Sequence, residues 1–399
     1  MPYSNKAMYN FIQNLPSRLQ RNTSGGNYYP LIDGMRWLAI FPVLMQHLAE
    51  RLIKYTDQPF STPIDQDPFA FFISRGTIGV FIFFAISGFI LGMPFAKAHL
   101  EGGKKVNLGK FYLRRLTRLE PPYLIWMSVF GLVLAIKGFG EGLLGHWLAS
   151  MTYTHNMIYG YYSPLNPVAW SLEVEIQFYL IAPFLAAFFF SISNTLKRRL
   201  SMVAGIIFWT VLVHQMGWQY FPYKPSLLAQ LPHFLTGFLL LDFFLNKDFK
   251  IKNSLIWDVL AIAAYFIMAY TWTEELGKSL VFAIALFSFF FGIQNSRFIG
   301  KWISSPWIAA FGGMCYTIYL THLPLMELFT PYLATIIPGT GFEIRLVGMA
   351  LVMLPIVLSF SVLAYLFIEK PFMKIRPEEL RIVTFFKKSF QPAFIQIKK

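Results

Sequence analysis

The stretch LIDGMRWLAIFPVLMQHLAE, residues 31–50, is apolar along most of its length yet carries Asp33, Arg36 and His47. A helix crosses a bilayer with about 20 predominantly apolar residues, so this stretch has the length of one span. Ionisable side chains at membrane depth are costly and persist where they handle substrate, protons or an internal ion pair. Arg36 and His47 stand eleven positions apart, a rise of roughly 16 Å on a helix that climbs about 1.5 Å per residue. One then lies near one face of the bilayer and the other past its middle. That separation suits a site reached from both sides.

The rest of the chain agrees with a life in lipid. Of its 399 residues 56% are hydrophobic and only 14% charged, with 43 Phe, 20 Tyr and 10 Trp. A soluble domain carries about a quarter charged residues. The fold class expected is all-α, a polytopic integral membrane protein. A net charge of +14 raises nucleic acid as a partner, but the basic residues cluster between apolar spans, which topology explains better. No nucleic-acid partner is expected. The single cysteine, Cys315, excludes an intramolecular disulfide and a multi-thiolate metal site, and no metal site is expected. Residues 1–30 hold no apolar core of the kind a cleaved signal peptide needs, so the first span is expected to serve as the membrane signal.

Candidate spans are 31–52, 78–96, 121–138, 171–192, 202–218, 226–245, 255–273, 279–295, 306–331 and 346–369, ten in all. With the N-terminus cytoplasmic, 26 of the 34 Lys and Arg fall in cytoplasmic segments and 7 on the outer side, with Arg36 the remainder. The positive-inside bias therefore predicts ten helices, N-in and C-in. The chain divides into a cytoplasmic N-terminal segment (1–30), a membrane domain (31–375) and a basic cytoplasmic tail (376–399). The expected location is the cell membrane, as a multi-pass protein of a bacterial plasma (inner) membrane. The longest outer connection, about 139–170, lacks Lys and Arg and is rich in Tyr, Trp, Asn and His. It reads either as an interfacial aromatic belt or as a platform for sugar rings.

Span register brings three helices to one depth. His47 falls in the outer half of the first span, Glu173 and Glu175 just inside the outer boundary of the fourth, and His322 about sixteen residues into the ninth. Imidazole beside carboxylate is a natural general-base pair, the carboxylate fixing the tautomer and stabilising the imidazolium. The plainer alternatives are hydrogen-bonded packing histidines, and an Arg36 that neutralises Asp33 three residues earlier. Arg114, Arg115 and Arg118 stand at the entrance to the third span and, with Lys104, Lys105 and Lys110, form a basic rim. Guanidinium forks suit phosphate oxygens, whether on a donor such as coenzyme A or on lipid headgroups. In GVFIFFAISGF the Ser87-Gly88 pair reads as a point of close helix approach.

Taken in order, these motifs resemble the acyltransferase 3 family of integral membrane acyltransferases, over roughly residues 31–375. LIDGMRWLAIFPVLMQH is similar to the family's opening helix, with its basic residue and histidine falling on Arg36 and His47. GVFIFFAISGF is similar to the second-span signature, FYLRRLTRLEPPY to the Arg-rich segment with its Arg-x-x-Arg on Arg115 and Arg118, and CYTIYLTHLPL with FIEKPF to the closing segments. WSLEVEIQFYL resembles a pattern usually written WSLSVEEQFYL. Glu173 stands where Ser is common and Ile176 where a second acid is common, while Glu175 keeps the first.

The resemblance implies transfer of an acyl group, acetyl above all, from cytoplasmic acetyl-CoA (or another acyl-CoA) to a hydroxyl of a cell-envelope glycan or similar acceptor, with no permanently bound cofactor. On this view Arg114, Arg115 and Arg118 meet the CoA phosphates, and Arg36 holds the pantetheine or pyrophosphate end. His47 acts as general base or transient acyl carrier, and Glu175 orients it. Trp170, Ser171, Glu173, Tyr316 and His322 face the acceptor, and Glu173 is a candidate to take over the role of the second acid. The competing reading is a transporter or flippase for an envelope glycan or lipid-linked intermediate, for which no inverted repeat is evident.

Overall fold

The computed structural model describes residues 14–21, 28–56, 60, 64, 66–246, 253–337 and 341–374. Most of the N-terminal segment and the basic tail expected at 376–399 lie outside the described residues. The described residues form helices joined by turns and loops, their only β-type pairing a single bridge between Ser254 and Ser296. That is the expected outcome where no water is at hand: a helix satisfies its backbone polar groups within itself.

In chain order the long helices are α1 (Pro30–Thr56), α2 (Pro68–Ile73, short), α3 (Ile78–Leu100) and α4 (Leu108–Ile136), then the short α5 (Leu143–Met151) and α6 (His155–Tyr159). There follow α7 (Trp170–Phe190), α8 (Thr195–Gln215), α9 (Leu227–Leu245), α10 (Leu255–Thr271), α11 (Leu276–Asn295), the short α12 (Ile299–Ile303) and α13 (Pro306–Gly313), α14 (Cys315–Ile336) and α15 (Phe342–Ala364). A π-helical turn over Tyr365–Glu369 then leads to α16 (Lys370–Lys374). Polar side chains start several of these helices by taking an orphan N–H: Asn107 accepts from Lys110 N at 2.9 Å, Asn194 from Lys197 N at 2.9 Å and Asp67 from Phe69 N at 2.8 Å.

Nine of the ten expected spans fall on one main helix each, and the ninth in order, 306–331, is broken into α13 and α14. Six described helices are long and apolar enough to cross a membrane, or seven if the bent pair α13–α14 counts as one. The shortfall has physical causes. α1 carries Asp33, Arg36, Glu50, Arg51 and Lys54, α8 opens on Lys197, Arg198 and Arg199, and α10 is only 17 residues long. α13 and α14 meet at 71° around Met314.

The centre of the bundle is built by backbone approach. A Cβ on Gly88 would lie 2.1 Å from Phe234 O, and one on Gly237 2.2 Å from Ala85 O. α3 and α9 therefore cross in direct contact at the Ser87-Gly88 point the sequence marks. α1 is gripped likewise, since a Cβ on Gly312 of α13 would stand 1.7 Å from Asp33 O. Large apolar side chains at the periphery, such as Leu351 and Ile136, are exposed, as lipid-facing positions would be.

Candidate active site

A cavity of about 1380 Å³ opens at the end of the bundle where α1 begins and α3 ends. Nine Lys and Arg side chains line it, among them Arg36, Arg114, Arg115 and Arg118, against one carboxylate, Glu175. Neighbouring contacts relieve little of this positive charge. Arg36 Nη1 lies 2.5 Å from Asp33 Oδ1, and Arg21 Nε lies 3.0 Å from the same fully buried carboxylate. One negative charge is thus shared by two guanidiniums. Arg115 lies 3.7 Å over the ring of Phe111 and donates to Phe111 O at 3.0 Å, and the buried Arg118 Nε has no hydrogen-bond partner. Such a pocket is chemically suited to a ligand with several phosphate oxygens.

Polar residues of α3, α7 and α14 close the deep end. Glu175 Oε1 accepts from Ser87 at 2.5 Å and from Tyr179 at 2.8 Å. Ser171 Oγ donates to Tyr319 Oη at 2.8 Å, and Tyr319 in turn donates to Val168 O at 2.9 Å. Tyr316, also on the wall, donates to Leu119 O at 2.9 Å.

Behind this wall stand two imidazoles. The rings of His47 and His322 are 5.3 Å apart, and that of Tyr319 is 5.7 Å from His322. His322 is fully buried, with Nδ1 at 3.1 Å from Ile318 O. A carbonyl can only accept, so Nδ1 carries the hydrogen and Nε2 is a bare acceptor, buried without a partner. His47 Nδ1 lies 2.8 Å from Glu50 Oε2. Glu50 is held from its other side by Gln46 Nε2 at 2.8 Å, and Gln46 Oε1 accepts from Thr77 N at 2.6 Å. The His47 side chain is 20% exposed and that of Glu50 40%, so this pair is reached from the far end of the bundle. Neither histidine lines the cationic cavity. Tyr319 and His322 stand between the two compartments.

Span register thus brings His47 and His322 together as expected, and Arg36, Arg114, Arg115 and Arg118 share one cavity. One expectation needs correction. Glu175 belongs to the cationic cavity and bonds Ser87 and Tyr179, so the carboxylate that orients His47 is Glu50, one turn further along the same helix. Glu173 is fully buried and accepts from Asn156 N at 3.0 Å and Asn156 Nδ2 at 2.8 Å. It ties α6 to α7 through Oε2, while its Oε1 is buried without a partner. Trp170 packs edge-on against Phe84 at 6.0 Å and does not line the cavity, while Ser171 and Tyr316 do line it. Sequence reasoning missed Arg21, Glu50 and Tyr319. The three-residue spacing of His47 and Glu50 was the available signal.

The connection between α4 and α7 is an aromatic cluster. His146 Nδ1 and His155 Nε2 are 3.0 Å apart, and Tyr159 packs on both rings. Burial, and then the neighbouring His146, push the His155 imidazole down to about 4. No group of three His, Cys, Asp or Glu able to hold a metal occurs among the described residues.

The fold and site are those of an apolar helical bundle whose large cationic chamber lies one tyrosine ring from a histidine pair. The profile of the family described as "Acyltransferase domain" matches residues 29–368, and the chain belongs to that family, the membrane acyltransferases. It is similar to a protein named "Putative O-acetyltransferase SAR0937" from Staphylococcus aureus (strain MRSA252), 26% identical over 93% of this chain and 61% of that protein. It is also similar to O-acetyltransferase OatA of S. aureus (strain NCTC 8325 / PS 47), 23% identical over 87% of this chain and 57% of that protein. The chain thus spans about three fifths of the length of the curated relatives it matches. No solved structure matches it.

Proposed function

We propose that this protein is a membrane O-acetyltransferase that takes acetyl from cytoplasmic acetyl-CoA and delivers it to a hydroxyl of a cell-envelope glycan. In this reading the protein sits in the plasma membrane with the cationic cavity facing the cytoplasm. The observation that carries it is the juxtaposition of that cavity with the His322–His47 pair, one tyrosine ring away. The CoA phosphates lie among Arg114, Arg115, Arg118 and Arg21, and the pantetheine arm runs past Arg36 and Glu175 towards Tyr319. A small movement of the Tyr319 ring brings the thioester carbon to the imidazoles.

The acceptor hydroxyl approaches from the far end. His47, its Nδ1 held by Glu50, takes the hydroxyl proton on Nε2 as the oxygen attacks the thioester carbon. His322 Nε2, bare and buried, accepts a hydrogen bond from a neighbouring hydroxyl and helps orient the acceptor. The C–S bond breaks, the new O–acyl bond forms, and the leaving thiolate takes the proton back from the imidazolium as CoA. Holding both partners in one enclosed site lowers the entropic barrier. The test is purified protein in lipid nanodiscs with radiolabelled acetyl-CoA and envelope glycan fragments. Alkali-labile label should appear on the glycan and should vanish with His47→Ala; undiminished transfer by that variant refutes the base role. Glycan transport without CoA release would refute the enzymatic reading altogether.

A further inference from the structure

A second cavity, of about 330 Å³, lies at the end of the bundle remote from the cationic chamber, between the starts of α3, α9 and α11 and the ends of α8 and α10. Arg75 dominates it. Its guanidinium lies 4.2 Å over Phe71 and 5.7 Å from the Trp272 ring, its Nε is buried without a partner, and no described carboxylate pairs with it. The one ion pair on the wall, Lys224 with Glu274 at 3.0 Å, is self-contained and adds no net charge. Two amide oxygens, Gln219 Oε1 and Gln230 Oε1, are also buried without partners, whereas Gln230 Nε2 is already committed to Lys224 O at 2.8 Å. Buried polar atoms left unmatched in this way mark a ligand's complement.

We propose that this cavity binds one acidic sugar unit of the acceptor glycan, a hexuronate in chemical class. The inference rests on the acetyl-transfer reading and names its acceptor. Arg75 supplies the fork for a carboxylate, the two amide oxygens accept from ring hydroxyls, and Trp272 offers an aromatic face to the C–H side of a pyranose. A neutral sugar would leave the cation unmatched, and a bare anion would leave both acceptors unmatched. The volume lies at the small end of ligand cavities, enough for one ring. Thr77, two residues along the chain from Arg75, donates to Gln46, and Gln46 donates to Glu50, the partner of His47, so the segment carrying Arg75 is hydrogen-bonded to the helix that carries the reacting pair.

The test uses the full protein in nanodiscs made of zwitterionic lipid, without acetyl-CoA, and measures binding of millimolar D-glucuronate and D-glucose by proton saturation-transfer NMR, and of inorganic phosphate by its competition with the glucuronate signal. Glucuronate should bind at least about tenfold more tightly than glucose or phosphate, the scale of one charge-assisted fork, and Arg75→Gln should erase that preference. The wild-type preference needs no variant, so it stands as evidence whether or not Arg75→Gln folds. Equal binding of glucuronate and glucose overturns the proposal, and so does phosphate binding as tight as glucuronate, the result a lipid-headgroup or free-anion site would give. A preference that survives in folded Arg75→Gln also overturns it. His47→Ala should bind glucuronate as the wild type does. Glucuronate binding in a protein that transfers no acetyl would fail the transfer reading alone, and transfer without glucuronate preference would fail this inference alone.

Discussion

Replacing Glu50 by Gln keeps the shape of the His47 environment and removes only its charge. In the proposed reaction His47 becomes an imidazolium as it takes the hydroxyl proton, and the carboxylate stabilises that charge only once it has formed. Nδ1 and Oε2 are 2.8 Å apart, which puts the two charge centres at roughly 4 Å; with an effective dielectric constant of about 20 the attraction is about 4 kcal/mol. The Glu50 side chain is 40% exposed, and solvent screening brings the useful part down to about 2 kcal/mol. That is about 30-fold in rate. Because the interaction grows in the transition state, the loss belongs to kcat, with KM for acetyl-CoA nearly unchanged. Initial rates of CoA release with saturating glycan acceptor, measured for wild type, Glu50→Gln and Glu175→Gln, decide the matter. If Glu50→Gln stays within twofold of wild type while His47→Ala is inactive, Glu50 is not the positioning residue and the reasoning fails. A loss in Glu50→Gln that appears only in KM fails it as well.

Three further outcomes follow from the geometry. Arg118→Gln removes a guanidinium whose Nε is unmatched in the cationic cavity; KM for acetyl-CoA should rise roughly tenfold with little change in kcat, the effect of one charge-assisted contact to phosphate. His155 is pushed down to about 4, so between about pH 6.5 and 4 the unfolded loop binds a proton that the folded one refuses and stability falls as pH falls, by at most about 3 kcal/mol. Hydrogen exchange over 150–163 should accelerate across that window and lose its acid dependence in His155→Phe. Gly312→Val places a Cβ 1.7 Å from Asp33 O and should destabilise the bundle by about 1–3 kcal/mol or more, visible as a lower thermal midpoint in detergent.

How far the fold was legible follows from what each feature depends on. Hydropathy finds helices wherever they are, and all ten expected stretches are helical. It does not say whether a helix with five charges, such as α1, is spanning by length and composition alone. Local spacing carried the Arg36–Asp33 pair and the Gly88 contact, because both are set by one helix or by the absence of one Cβ. The same logic would have found Glu50, three residues from His47, had the family pattern not drawn attention to Glu175. Arg21 was out of reach: it meets Asp33 from twelve positions upstream, through no shared helix. Tyr319 was also hidden, because its place in the wall depends on the 71° bend between α13 and α14, which re-aims the whole first half of α14.

The wall between the compartments ties these observations into one constraint. Nine cations on one side attract a polyanion strongly, and a continuous wet channel would let water reach a thioester held beside a base. Separation by Tyr319 solves this only if the wall is thin and closed at rest. It is thin, since the cavity ends on a ring 5.7 Å from the first imidazole. Its hydroxyl is held twice, by the bond from Ser171 and the bond to Val168 O, so its resting position is closed. The residues that hold it, Val168 and Ser171, flank the start of α7, which Glu173 ties through Asn156 to the connection carrying the His146–His155 cluster. The tyrosine and that connection are therefore linked through the start of α7.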